Sequence, residues 1–261
     1  MDIAKKYGRQ MDVVEAWKKI IAEQESPMLS VAEGMYNIPA YSEPRCVVIS
    51  PSKQLQVMQW GLIPRTAKPE DVARYNKENW FKNARGEDIF HTWPYKLSIT
   101  HRRCLIPSTG YFEFHYDEKK QAQPYYIFIP TREVFNMAGV WDRWAIPGKG
   151  GEPGEGDNLD HPDFDKYLYT FTQITTEAND LARKIHNGGN HPFRMPVILK
   201  PEDEARWLDP NMTDSEEIKE FLKPYTDEPM EAYPVDKKFR FMNPYKEEVI
   251  KEVPEQGKLE I

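Results

Sequence analysis

The stretch His101–Phe114 reads HRRCLIPSTGYFEF, and the fold is predicted outward from it. Its basic start leads into Cys104–Ile106, an apolar run typical of a strand, and Ser108–Gly110 then indicates a turn. After the turn, Glu113 is the one carboxylate in a second predicted strand, over 111–116, that is otherwise rich in aromatic residues. A charge is costly in such surroundings unless it is paired, so Glu113 is a candidate functional group with a raised pKa.

Segments on both sides of this stretch predict the other elements. Runs bounded by turn residues indicate strands at 46–49, 55–60, 124–129, 135–141 and 167–174. Helices are predicted over 2–25, 177–185, 201–207 and 214–222, and residues 69–78 are interpreted as a polar connection or a short helix. The fold class predicted is α+β: a single domain over residues 1–240, with mixed, mostly antiparallel sheets forming a barrel-like core, peripheral helices, and a charged C-terminal tail over 241–261.

Composition places the chain among folded proteins of a reducing compartment. Hydrophobic residues make up 39% of the 261 residues, which suffices for a sizeable core. The two cysteines, Cys46 and Cys104, lie in apolar strand-like runs and are interpreted as core packing, with a disulfide between them as the alternative. Because no apolar leader and no bilayer-spanning run is found, a cytoplasmic protein without membrane contacts is expected.

The net charge of −7 argues against a nucleic-acid binder, but the charge is unevenly distributed. From Arg74 to Arg103 there are seven basic and three acidic residues, interleaved with aromatic residues such as Trp80 and Trp93. Such a pattern suits single-stranded nucleic acid, whose phosphates and base faces can both be contacted, although a solvated basic surface explains it as well. The acidic, glycine-rich segment 147–165 is interpreted as a mobile surface loop.

Short motifs along the chain resemble, in order, those of the SOS response-associated peptidase (SRAP) family. They are QWGLIP at 59–64, KNARGE at 82–87, RRCLIPSTGYFEF at 102–114, ITTEAN at 174–179, and IHN at 185–187 leading to RMPVIL at 194–199. The resemblance covers residues 7–240. It implies a monomeric, nucleoid-associated protein that shields abasic sites in single-stranded DNA during the DNA damage (SOS) response.

The resemblance also implies roles for individual residues. The active-site positions of the family fall on Asn83, Glu113 and His186, where Asn83 holds the sugar and the other two handle protons. Arg85 and Arg194 match phosphate contacts, and the loop from Trp60 to Pro64 matches the segment that shapes the DNA groove. No cofactor and no metal is implied.

The start of the chain departs from the family pattern. In the family, a cysteine follows the initiator methionine, and after methionine removal its amine and thiol form a covalent thiazolidine with the sugar aldehyde. This chain begins Met1-Asp2, and Asp2 is too large for ordinary methionine removal. We therefore expect the site to be present without its nucleophile, as in a chain whose start has been cut short.

Each candidate residue keeps an alternative interpretation. Glu113 could face water or pair with Arg102 or Arg103, and His186 could be a helix-end histidine favoured by the dipole. His191 is a rival for the catalytic position, because the spacing from His186 to the RMP motif is long. The remaining alternatives are a turn for Asn83, a pairing of Arg85 with Glu87, and core packing for Trp60.

Two other functions stay open at this stage. A peptidase-type hydrolase would use Glu113 and His186 to activate water, but the sequence has no Ser-His-Asp pattern and no metal-ligand spacing. A non-catalytic single-strand DNA-binding module would show salt-dependent binding without a covalent product.

Overall fold

The computed structural model describes Asn37, Ala40 and residues 46–49, 55–78, 80–152, 163–244 and 246–254. The helix predicted over 2–25 and the middle of the loop predicted over 147–165 lie outside these residues. In chain order the strands are β1 (Cys46–Ile49), β2 (Leu55–Trp60), β3 (Asn83–Arg85), β4 (Arg103–Ser108), β5 (Tyr111–Tyr116), β6 (Ala122–Phe128), β7 (Phe135–Ala145), β8 (Tyr167–Glu177), β9 (Arg194–Pro196), β10 (Ile198–Leu199) and β11 (Glu231–Pro234).

Four short α-helices and three 3₁₀ turns accompany these strands in the described chain. The helices are α1 (Pro69–Glu78), α2 (Asp180–Ile185), α3 (Glu204–Trp207) and α4 (Ser215–Lys219), and the turns are Tyr95–Leu97, Phe239–Phe241 and Glu247–Ile250. The segment 69–78 is thus a helix, and α4 is shorter than the helix predicted over 214–222. Asp214 accepts hydrogen bonds from the backbone N–H groups of Glu216 and Glu217, at 2.9 and 3.1 Å, and so caps the start of α4.

The larger sheet closes into a barrel. Strands β1, β2, β8, β7 and β4 pair in a ring, because β4 also pairs with β1, and β3, β9 and β10 extend this sheet. The β2–β8 and β3–β8 pairs are parallel and the other pairs are antiparallel. The predicted α+β class, with a mostly antiparallel, barrel-like core, is therefore confirmed.

The long central strands contribute side chains to two hydrophobic clusters, one on each face of the barrel wall. In β8, Tyr169 and Phe171 are buried in one hydrophobic cluster, while Ile174, on the opposite face, is buried in another. Because side chains alternate along a strand, β8 is buried on both faces, which is typical of a barrel wall that is covered on its outside.

The second sheet has three strands, in the order β11-β6-β5, and carries Glu113. A third hydrophobic cluster lies against it and contains Tyr126, Val235, Phe239 and Val249. Part of the tail expected over 241–261 packs against this cluster. Val249 is fully buried, and Val235 forms a β-bridge with Glu252, so this segment covers the apolar face of the small sheet.

Candidate active site

Glu113 lies in β5 opposite Tyr125 of β6, on a strand whose neighbours are aromatic. Its side chain is 23% exposed. Burial raises the pKa of the Glu113 carboxyl to about 8, against the opposing influence of the Phe114 backbone N–H and the Arg240 charge. The carboxyl therefore holds its proton at neutral pH, as the aromatic surroundings predict.

His186 stands beside this carboxyl. Its Nδ1 atom lies 3.7 Å from Oε1 of Glu113 and 3.0 Å from the carbonyl oxygen of Arg194. The residue caps the C-terminal end of α2, where its backbone N–H donates to Ala182 O at 2.7 Å. The helix-end position expected for His186 is confirmed, and the same position delivers the ring to Glu113, whereas His191 is exposed in the following loop.

The loop after α2 is fastened to the strand that carries Glu113. The Asn187 side chain accepts a hydrogen bond from the Tyr116 N–H at 2.8 Å and donates one to the Tyr116 carbonyl at 2.9 Å. Gly188 lies flat against the ring of Tyr116, where a Cβ would come within 2.5 Å. These contacts fix the separation of Glu113 and His186, although they come from distant parts of the sequence.

Asn83 and Arg85 lie on β3, which pairs in parallel with β8. Both side chains are exposed while Ala84 between them is fully buried, so the alternation expected for an extended segment is present. The Arg85 guanidinium lies 3.9 Å from Asp88. It does not take the pairing with Glu87 that the sequence left open, because Glu87 is engaged elsewhere.

Arg194, at the start of β9, is the partner of Glu87. Two parallel hydrogen bonds of 2.7 and 2.8 Å join its guanidinium to the carboxylate, and a third, of 2.9 Å, reaches the Thr175 carbonyl. The carboxylate is partly buried, yet hydrogen bonding to Arg194 keeps the pKa of Glu87 below its usual value. A phosphate that binds Arg194 must therefore share it with Glu87 or replace that carboxylate.

The segment from Trp60 to Pro64 is held rigidly at the end of β2. The Trp60 indole N–H donates to the Lys82 carbonyl at 2.8 Å, and Pro64 is buried. Gly61 has a φ of 110° and donates its N–H to Phe171 at 2.9 Å. Because that φ is unfavourable for other residues, glycine is needed at this turn.

Part of the basic window predicted over 74–103 is structural. Arg103 is 2% exposed and donates to the backbone carbonyls of residues 99, 100, 207 and 209, and burial lowers its pKa to about 10. Arg102 is also buried and pairs with Asp142 at 3.6 Å. Neither arginine pairs with Glu113, so that alternative for the carboxyl is wrong.

The aromatic half of the same window is accessible. Trp80 and Trp93 are 39% and 42% exposed, and the Arg74 guanidinium lies 5.0 Å from the centre of the Trp80 ring. Basic and aromatic groups thus share this surface, as the pattern of the sequence predicts.

Two features are absent from the described ranges. Among these residues, no set of three or more potential metal ligands lies close together. None of the helices in the same ranges is long and apolar enough to cross a membrane.

The architecture of the described chain is a closed mixed barrel flanked by a small sheet, and that sheet sets a carboxyl of raised pKa beside a histidine. The sequence matches the family described as SOS response associated peptidase (SRAP) over residues 6–241, and the chain belongs to that family. This confirms the resemblance drawn from its motifs.

Relatives of known name and structure agree with this membership. The chain is 33% identical over 186 residues to the abasic site processing protein YoqW of Bacillus subtilis, a match covering 70% of each chain. It is 27% identical over 195 residues to the abasic site processing protein HMCES of Gallus gallus, covering 67% of this chain and 51% of that one. A crystal structure of a Bacteroides thetaiotaomicron protein has a TM-score of 0.78 at 33% identity and covers 97% of this chain and 95% of that chain.

Two residues that shape this site were not predicted from the sequence to do so. Asn187 appeared only as part of the IHN motif, and its fastening of the loop depends on Tyr116, which is 71 residues away. Arg240 was placed at a domain boundary, although its charge acts on Glu113. The basic-aromatic run KKFRF at 237–241 is a signal that could have pointed to it.

Proposed function

We propose that this protein processes abasic sites in DNA and that Glu113 and His186 are its acid–base pair. The observation that carries the proposal is their contact: a carboxyl with a pKa of about 8 lies 3.7 Å from a histidine ring nitrogen. The names of the relatives give the substrate class, since YoqW and HMCES are both abasic site processing proteins.

The pair suits the chemistry of a sugar aldehyde. Near neutral pH the protonated Glu113 carboxyl donates to a sugar oxygen, so the ring opens or hydroxide leaves as water, and the resulting carboxylate then accepts a proton. His186 exchanges protons with the same oxygen, since its Nδ1 is engaged by the Arg194 backbone and Nε2 remains for substrate.

The substrate in this proposal is single-stranded. Asn83 orients the sugar by its amide, Arg85 and Arg194 bind phosphates, and the pinned Trp60–Pro64 segment shapes one wall of the groove. The exposed rings of Trp80 and Trp93 supply faces on which unpaired bases can stack.

The covalent step requires an N-terminal cysteine. Its amine adds to the aldehyde carbon and water leaves, which gives an imine. The thiol then adds across the C=N bond, the sulfur bonding to carbon and its proton passing to nitrogen, so a thiazolidine ring closes. A version of the protein that begins with cysteine is expected to make this link.

Three versions of the protein with different N-termini test the proposal on an abasic single-stranded oligonucleotide. Because the family match begins at residue 6, one version begins at that position with Lys6→Met and Tyr7→Cys, and its control carries Tyr7→Ala instead. Both lose methionine, so they differ only in the thiol. The third is the unaltered chain.

We expect a protein–DNA band that survives denaturation only with the version that begins with cysteine. The alanine start should give only an imine that borohydride traps. No covalent product from any start, with undamaged and abasic DNA bound equally, would leave a binding module, and release of peptide fragments without DNA chemistry would indicate a hydrolase.

The same assay tests the acid–base pair. In the cysteine-start background, Glu113→Gln should slow adduct formation about 100-fold, because the amide cannot exchange a proton in the catalytic step. Glu118→Gln, on the exposed tip of the same hairpin, is the matched control and should leave the rate unchanged.

A further inference from the structure

The 3₁₀ turn Phe239–Phe241 presents a cation and an aromatic ring beside the Glu113 sheet. Phe239 anchors the turn: it is 3% exposed and stacks on Phe112 with ring centres 4.4 Å apart. Two residues later, Phe241 is 89% exposed, the most exposed large apolar side chain in the described chain. Both faces of a phenyl ring this exposed are available for stacking with a partner.

Arg240 lies between Phe239 and Phe241 in the sequence. Its guanidinium stacks 4.3 Å from the centre of the Phe114 ring, directly after Glu113 in β5. Arginine stacked in this way keeps the edges of its fork available for an anion. Arg194 is occupied by Glu87, whereas Arg240 makes no ion pair within the described part of the chain.

The charge of Arg240 reaches both sides of the site. It opposes the rise in the pKa of Glu113, and it adds to the lowering, mainly by burial, of the pKa of Lys82, the residue before Asn83. Arg240 is thus near the carboxyl on β5 and near Lys82, which directly precedes β3.

We propose that Arg240 and Phe241 form a further DNA contact, in which Arg240 binds a phosphate next to the sugar held at Glu113 and Phe241 stacks on an adjacent base. The assignment rests on the proposed function, because that function places the strand at Glu113. Lys237 and Lys238 add charge of the required sign, against the single carboxylate of Asp236 in the same turn. Asp236 is engaged in the turn itself, since it accepts from the Lys238 N–H at 2.7 Å.

Binding of an undamaged, fluorescent oligothymidine at several salt concentrations tests this contact in the full chain. Arg240→Ala should weaken binding about fivefold and reduce the slope of log K against log salt by about 0.7, the value for one phosphate on a single strand. Phe241→Ala should weaken it about fivefold to tenfold with the slope unchanged, because a stacked base releases no counterion. Arg240→Lys and Phe241→Tyr should restore most of the affinity.

Arg206→Ala is the matched control. Arg206 also stacks on a phenylalanine, 5.2 Å from the Phe221 ring centre, but on α3. Wild-type affinity and slope in both Arg240→Ala and Phe241→Ala, or an equal loss in Arg206→Ala, would overturn the proposal. Adduct formation by the cysteine-start version separates the two ideas: an adduct with unchanged binding refutes only this contact, and weakened binding without any adduct refutes only the abasic-site function.

Discussion

The side chain of Asn187 pairs with the backbone of Tyr116 as a neighbouring strand would, accepting from its N–H at 2.8 Å and donating to its carbonyl at 2.9 Å. The pair joins the end of β5 to the loop that follows His186. Two residues other than Glu113 and His186 therefore set the distance between these two side chains.

Asn187→Ala removes both hydrogen bonds and leaves two backbone groups of Tyr116 dependent on water. The free energy of unfolding should fall by about 1–2 kcal/mol, measured by urea denaturation. Adduct formation by the cysteine-start version should slow more than this loss explains, because the loop after His186 is no longer fastened to β5. Asn211→Ala, an exposed asparagine bonded only to Asp209, should change stability by less than about 0.5 kcal/mol. Equal effects of the two substitutions would show that the fastening is unimportant.

The raised pKa of Glu113 predicts an unusual pH dependence of stability. In the unfolded chain the carboxyl titrates near its ordinary pKa of 4.5, and in the folded chain near about 8. Between these values the folded protein binds more protons than the unfolded one, so stability falls as pH rises. The loss between pH 5 and pH 8 should be on the order of 3 kcal/mol.

Denaturation of Glu113→Gln across the same pH range checks this. The substituted protein should lose most of that dependence and be the more stable of the two at pH 8, because no charge has to be buried. Glu118→Gln should keep the wild-type curve. Parallel curves for wild type and Glu113→Gln would mean that the carboxyl is ionised in the folded protein at neutral pH.

Gly110 directly precedes the strand that carries Glu113, and there is no room for a side chain at this position. A Cβ would overlap the Tyr126 ring and lie 2.6 Å from the Ile127 carbonyl oxygen. Gly110→Ala should lower the free energy of unfolding by about 3 kcal/mol or abolish expression of folded protein. Gly148→Ala, where φ is 77° and no atom lies within 4 Å, should cost only about 1 kcal/mol. Thermal melts of both variants decide between crowding and backbone conformation.

The ion pair between Glu87 and Arg194 predicts a gain of affinity by substitution. Glu87→Gln removes the charge that competes with phosphate for the Arg194 guanidinium, so single-stranded DNA should bind about threefold to tenfold more tightly at low salt. The gain should shrink as salt is added. Glu216→Gln removes the same charge from α4 and should change affinity little. Unchanged or weaker binding by Glu87→Gln would indicate that Arg194 is a structural residue.

The sequence determined which segments form strands and which family they belong to. Apolar and aromatic runs bounded by turn residues located β1, β2, β5 and β6 closely, because alternation and turn chemistry are local properties. The aromatic neighbours of Glu113 likewise predicted its raised pKa, because they lie on the same strand and on the strand beside it.

Which strands and which charged groups pair across long sequence distances was decided only by the tertiary structure. Parallel pairing of β2 and β3 with β8 depends on barrel closure, which no local pattern encodes. The sequence pattern suggested that Arg102 and Arg103 are surface charges, but both are buried against backbone carbonyls and Asp142. Glu87 pairs with Arg194, although Arg85 is nearer to it in the sequence. A pairing energy depends on distance and burial in three dimensions, so the sequence could name the charged groups of this site but not their partners.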